Sequence, residues 1–164
     1  MLRESQGLER CIREFSRFLV FLALCAVIAV ACQQRMTIKM NDGTPPTFSI
    51  HASTFTHYKY LTFFVVSELA PENVKVPAYE KTTIENKIVW WIFPGDSHLG
   101  EYKNLPAIKY GELPDGWTQK VPELGKPPML VEGKVYQAGG PQIEVPDAVI
   151  RFTIRDGKAV RLPL

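Results

Sequence analysis

All thirteen prolines of this chain, and ten of its eleven glycines, fall after Cys32. Proline removes a backbone donor and clashes with the preceding helical turn, and glycine makes ordering costlier in entropy. In residues 33–164 no apolar period of 3.6 residues persists, and proline interrupts every candidate helix. Short β-rich runs separated by turn residues take their place. That pattern predicts an all-β sandwich or barrel.

The runs place about eight strands. Thr47–Ala52 comes first, followed by a long aromatic run, Tyr58–Leu69. A Pro/Glu-rich passage, Pro71–Pro77, leads toward Tyr79–Thr83 and then Ile84–Phe93. In this last segment Ile88, Trp90 and Ile92 share one face, so period two puts Trp90 in the core and Trp91 outside or under a loop. Shorter strands follow at Ala107–Glu112, Trp117–Val121 and Lys134–Ala138. Alternation is clearest in Ala148–Arg155; Asp156-Gly157 then supplies the positive-φ residues of a tight turn, and Lys158–Leu162 returns as hairpin partner. Phe48, Phe63, Trp90, Tyr110, Tyr136 and Phe152 are the aromatics expected in the core.

The N-terminal fifth is a different material. Phe18–Cys32 is fifteen residues without a charge, preceded by Arg3, Arg10, Arg13 and Arg17 against Glu4, Glu9 and Glu14. A basic flank, a short apolar run and small residues at its end predict a helical secretory signal segment over residues 1–31. As a helix the run spans roughly 22 Å, short of the ~30 Å hydrocarbon core. An uncleaved signal anchor is the alternative. Residues 32–46 are polar and end in a turn cluster, which reads as a tether ahead of a domain over 47–164.

Ala29-Val30-Ala31-Cys32 resembles a bacterial lipobox, although Ala29 stands where leucine is usual. The resemblance implies that the Cys32 thiol accepts a diacylglyceryl group and becomes the new N-terminus, anchored to a membrane by its acyl chains. Gln33 is not the aspartate that retains enterobacterial lipoproteins at the inner membrane, so the implied address is the outer membrane. Cys11 and Cys25 would leave with the signal, and the mature chain would then hold no free thiol, disulfide or cysteine-based metal site. An ordinary signal cleaved near Ala31 stays open beside this reading.

A second resemblance lies in Leu130-Val131-Glu132-Gly133-Lys134-Val135-Tyr136-Gln137-Ala138. Leu, Gly and Tyr occur at these offsets in fibronectin type III and related immunoglobulin-like domains. The resemblance implies a tyrosine corner, in which the Tyr136 hydroxyl bonds back to the turn backbone around Gly133. Trp90 takes the part of the central core aromatic. The whole chain resembles a bacterial lipoprotein carrying one such domain, of seven to nine strands, behind a short tether.

Catalytic chemistry has few footholds. His51 and His57, six apart, would lie about 20 Å apart on one strand, too far to share a metal, and no Cys or clustered Asp/Glu completes a ligand set. Ser97-His98 sits in a Gly/Asp turn without a GxSxG elbow, and nothing in the spacing of Glu101, Glu112, Asp115 and Glu144 selects a carboxylate pair. Gly139-Gly140 is followed by proline rather than by the start of a helix. The net charge of +2 speaks against a nucleic-acid partner. No cofactor and no metal is expected. Trp91, Tyr102 and Trp117, assigned to outer faces or Gly/Pro loops, could stack on sugars or anchor a partner. Arg151, Arg155, Lys158 and Arg161 read as a solvated basic face. The expectation is therefore a non-catalytic envelope module contacting a protein or a glycan. An envelope hydrolase acting on peptidoglycan or polysaccharide, and a purely structural lipoprotein, are the alternatives.

Overall fold

A computed structural model describes residues 36–52, 60–77, 84–140 and 149–163. The chain divides after Gln33, and the described residues all belong to its second unit. The strands are β1 (Met36–Met40), β2 (Thr47–Ala52), β3 (Phe64–Glu68), β4 (Lys87–Pro94), β5 (Ile108–Lys109), β6 (Trp117–Val121), β7 (Val135–Gly139), β8 (Val149–Arg155) and β9 (Lys158–Leu162). They form two antiparallel sheets, a three-stranded one ordered β1-β2-β5 and a six-stranded one ordered β6-β4-β3-β7-β8-β9. Among the described residues three short 3₁₀ helices, Pro71–Lys75, Ser97–Gly100 and Tyr102–Asn104, lie between strands. No described helix is long and apolar enough to cross a membrane. The signal segment and Cys32 lie outside the described residues, as do Tyr79–Thr83, His57 and Glu144.

The sheets meet over one core. Ile38, Phe48, Ile50 and Ile108 come from the smaller sheet, and Phe64, Val66, Trp90, Ile92, Ile150 and Phe152 from the larger. Phe48 joins the layers, its ring 5.2 Å from Phe64 and 5.7 Å from Phe152. Offset and tilted ring pairs of this kind add about 0.5–1.5 kcal/mol beyond area burial.

Several boundaries differ from the sequence reading. β1 occupies Met36–Met40, within the stretch expected to be a tether, and Ile38 brings it into the core. The long aromatic run shortens to β3, with Tyr60 making an isolated bridge to Glu101. Because β3 begins at Phe64, that residue is fully buried and Phe63, expected in the core, is half-exposed on the other side. Parity in β4 changes for a different reason. Val66 pairs with Trp90 and Ser67 with Ile88, so Val89 is an extra residue with no partner opposite. A bulge shifts the two-residue period by one. Val89 is consequently buried, and Ile88 is 39% exposed instead of facing the core.

β8 is buried on both faces up to Ile154. Ile150, Phe152 and Ile154 face the core, while the 3₁₀ helix Pro71–Lys75 approaches the opposite face. There Arg151 Nη1 donates to the Val74 carbonyl (3.2 Å) and Nε to Gln137 Oε1 (3.1 Å). Arg151 is 5% exposed, so it does not belong to the solvated basic face; Arg155, Lys158 and Arg161 do. Burial lowers its pKa from the ordinary guanidinium value. Buried Asn73 holds the same helix, donating to the Ile84 carbonyl (2.8 Å) and to Asn86 Oδ1 (2.7 Å).

The β8–β9 turn has Asp156 at φ 51° and Gly157 at φ 68°, the left-handed pair that the Asp-Gly sequence supplies. Glu132 Oε1 accepts the Asp156 N–H at 2.8 Å. The Thr44 hydroxyl donates to the Gly157 carbonyl, placing the β1–β2 turn and the β8–β9 turn at the same end of the sandwich.

Candidate functional site

Trp91 follows fully buried Trp90 on β4, so its indole projects from the outer face of the six-stranded sheet. Phe63 meets it edge-on at 6.0 Å. A second bulge supplies the cover. Trp91 pairs with Val121 and Ile92 with Gln119, leaving Lys120 without a partner opposite. The Lys120 ammonium sits 4.2 Å from the Trp91 ring centroid, a cation–π contact. Phe63, Trp91 and Phe93 floor an open groove of about 490 Å³, with Lys120 and Glu123 at its edge.

The other two aromatics do not join this groove. Trp117 is 5% exposed and belongs to the core, a correction to the expectation that it lies exposed on an outer face or in a Gly/Pro loop. It opens β6 opposite Pro94 as a strand residue, and strand parity turns its indole inward. Tyr102, in the 3₁₀ helix Tyr102–Asn104, packs half-buried against the core. Its hydroxyl is buried with no hydrogen-bond partner among the described residues, and burial pushes its pKa up.

The residues assigned structural parts are found in the core and its turns. Trp90 is fully buried between Phe64 and Tyr110, with ring centroids 6.3 and 5.3 Å away. Gly133 has φ +76°, a conformation that costs a residue bearing Cβ. The Tyr136 ring stacks on Phe152 at 5.6 Å, and its hydroxyl accepts the Val131 N–H at 2.9 Å.

That bond is one of several that hold a surface the sequence reading missed. Residues 122–131 contain no strand or helix, yet hydrogen bonds with Gln119, Tyr110 and Tyr136 hold the segment at four points. Gln119 Oε1 accepts from Trp90 Nε1 (2.9 Å), which leaves its Nε2 to donate to the Pro122 (2.7 Å) and Gly125 (2.8 Å) carbonyls. The Tyr110 hydroxyl donates to the Pro128 carbonyl at 2.8 Å. Burial, and then the neighbouring Tyr136 phenol, push the Tyr110 pKa well up, so it stays a neutral donor. Tyr136 fixes Val131.

The same segment exposes Leu124 by 89% and Met129 by 90%, with Val131 half-exposed. Single apolar side chains on a surface are ordinary; a loop held by part-buried hydrogen bonds presents them at a fixed place. Beside Met129 lies a groove of about 410 Å³ walled by Pro45, Pro46, Tyr110, Pro127 and Ile154, with Glu112 and Lys126 among its lining residues. Its lining joins the 122–131 loop to the β1–β2 turn. The available sequence signal was Pro127-Pro128-Met129-Leu130, an apolar step after two prolines and directly before the tyrosine-corner pattern.

Among the described residues no three His, Cys, Asp or Glu lie together as metal ligands. His51 is exposed on β2. Of the carboxylates weighed for hydrolysis, Glu101 pairs with Lys103 (3.0 Å) and Glu112 with Lys109. No protein-family model, curated protein or solved structure matches the chain.

Proposed function

We propose that this protein is a lipid-anchored module of a bacterial envelope, acylated at Cys32 and directed to the outer membrane, whose fibronectin type III or immunoglobulin-type domain binds a partner without catalysis. The Val131 N–H to Tyr136 hydroxyl bond beside Gly133, with Trp90 at the centre of the core, supports the domain type. The observation that carries the binding reading is the pinned 122–131 segment. Four hydrogen bonds, three of them part-buried, fix a loop whose outward side chains, Leu124 and Met129, are almost wholly exposed. Rigid, apolar and preorganised, this surface suits a protein partner.

Two measurements test it. Intact mass of the membrane-fraction protein should give an N-terminus at Cys32 with acyl mass; an unmodified chain starting at Met1 would falsify the anchor. Crosslinking in cells should capture a defined partner, lost in the Leu124→Ser, Met129→Ser double variant and kept in Trp91→Ala. The opposite pattern, loss only in Trp91→Ala together with retention on a glycan column, moves the site to the Phe63–Trp91–Phe93 groove. That second reading is favoured by one observation, an aromatic floor edged by charged groups.

A further inference from the structure

β1 begins at Met36, so only Gln33, Gln34 and Arg35 separate it from Cys32. Four Cα–Cα steps reach at most about 14 Å fully extended. The polar layer outside the hydrocarbon is itself about 5–8 Å thick on each side. What remains of the leash is shorter than the roughly 10 Å between packed sheets.

The fold determines which end the leash leaves from. Met36 pairs with Ala52 and Thr37 with His51, whereas Met40 leads into the turn that Thr44 ties to Gly157. The Met36 end and the Gly157 end are therefore opposite poles. Ile154, Thr44, Pro45 and Pro46, which line the groove beside Met129, belong to the Gly157 pole. Charge alone does not separate the poles, since exposed Arg155 and Lys158 stand at the Gly157 pole beside Asp156 and Glu132. The leash carries Arg35, and the first acid after Cys32 is Asp42, beyond β1. Cations next to an anchor are drawn to anionic headgroups.

We infer that the β1-start pole, with His51 at its edge, rests on phospholipid headgroups, so that the 122–131 loop and its groove face away from the bilayer. This rests on the lipid anchor proposed above. The module is thus held in one orientation, close to the surface, and offers its binding face to partners on the aqueous side.

The test uses acylated protein purified from membranes and reconstituted in vesicles of phosphatidylethanolamine and phosphatidylglycerol containing a nitroxide-headgroup lipid. Cys11 and Cys25 precede Cys32, so the processed and acylated chain has no other thiol. A fluorophore can then be placed at His51→Cys or at Lys158→Cys, both exposed positions. Strong quenching at residue 51 and little at residue 158 is expected. Twenty Gly/Ser residues inserted after Gln33 should abolish that difference, because the leash then reaches an r.m.s. length of roughly 25 Å. Equal quenching at both sites with the native leash, or a difference that survives the insertion, overturns the orientation. Absence of acyl mass in the purified protein overturns the anchor itself, and the orientation with it.

Discussion

Removing a single hydroxyl separates fold from function in this protein. Tyr136→Phe keeps the ring stacked on Phe152 and takes away only the acceptor for the Val131 N–H. A net hydrogen bond contributes about 0.5–1.5 kcal/mol, and this one is part-buried, so we expect a loss of about 1 kcal/mol. For a domain of this size that is roughly 3–5 °C in Tm. Urea denaturation should show the midpoint falling with an unchanged slope, because the surface exposed on unfolding stays the same. Tyr110→Phe releases the Pro128 carbonyl from the same loop and should cost a similar amount. The two bonds hold neighbouring residues, so the double variant should lose less than the sum: a loop freed at one point gives less to the second bond. Hydrogen exchange locates the effect, with faster exchange at Val131 and the β-sheet amides unchanged. Partner capture should weaken although Leu124 and Met129 are untouched, since their fixed placement is what was lost. Strict additivity of the two variants, or unaltered exchange at Val131, refutes the claim that these phenols preorganise the loop.

Three further outcomes follow from the same geometry. Leu124→Ser and Met129→Ser should each shift stability by less than about 0.5 kcal/mol, because almost nothing of either side chain is buried; denaturant midpoints check this. Arg151→Ala should cost about 2–4 kcal/mol, since it strands the Val74 carbonyl and Gln137 Oε1 and removes a buried stem, and Arg151→Met, which keeps the stem, should cost less. The protein should lose stability in alkali: burial raises the pKa of Tyr110 and Tyr102, so their contribution is complete below about pH 10, where a free phenol titrates, and falls away above it. Denaturant midpoints between pH 9 and 12 measure that loss, and Tyr110→Phe should flatten the curve.

What the sequence disclosed and what it hid divide along one physical line. Local rules gave the all-β class, the Asp156-Gly157 hairpin and the inward face of β8, because turn chemistry and period two act between near neighbours. The Tyr136 hydroxyl accepts from Val131, only five residues away, so this contact too is local to the Leu130–Ala138 segment. The face of Ile88 was misread because one residue was added to the count. Val89 and Lys120 are bulges, and each reverses the parity of what adjoins it, sending Ile88 out and holding Lys120 above Trp91. A bulge is a compromise between two strands that meet only in the fold, so neither strand announces it alone.

The burial of Arg151 was hidden for a related reason. Alternation placed it on the outer face of β8, which is where it lies; that the outer face is itself covered depends on Val74, 77 residues earlier. The 122–131 loop combines both effects. Its proline content correctly reads as irregular backbone, and irregular backbone invites the assumption of mobility. Yet Gln119, Tyr110 and Tyr136 each commit a part-buried polar group to it, and a polar group left buried and unpaired would cost about 1–3 kcal/mol. Residues that look like core aromatics in the sequence thus shape a surface. Their ring carbons serve the sandwich, their hydroxyls serve the loop, and substitutions that spare the rings should distinguish the two.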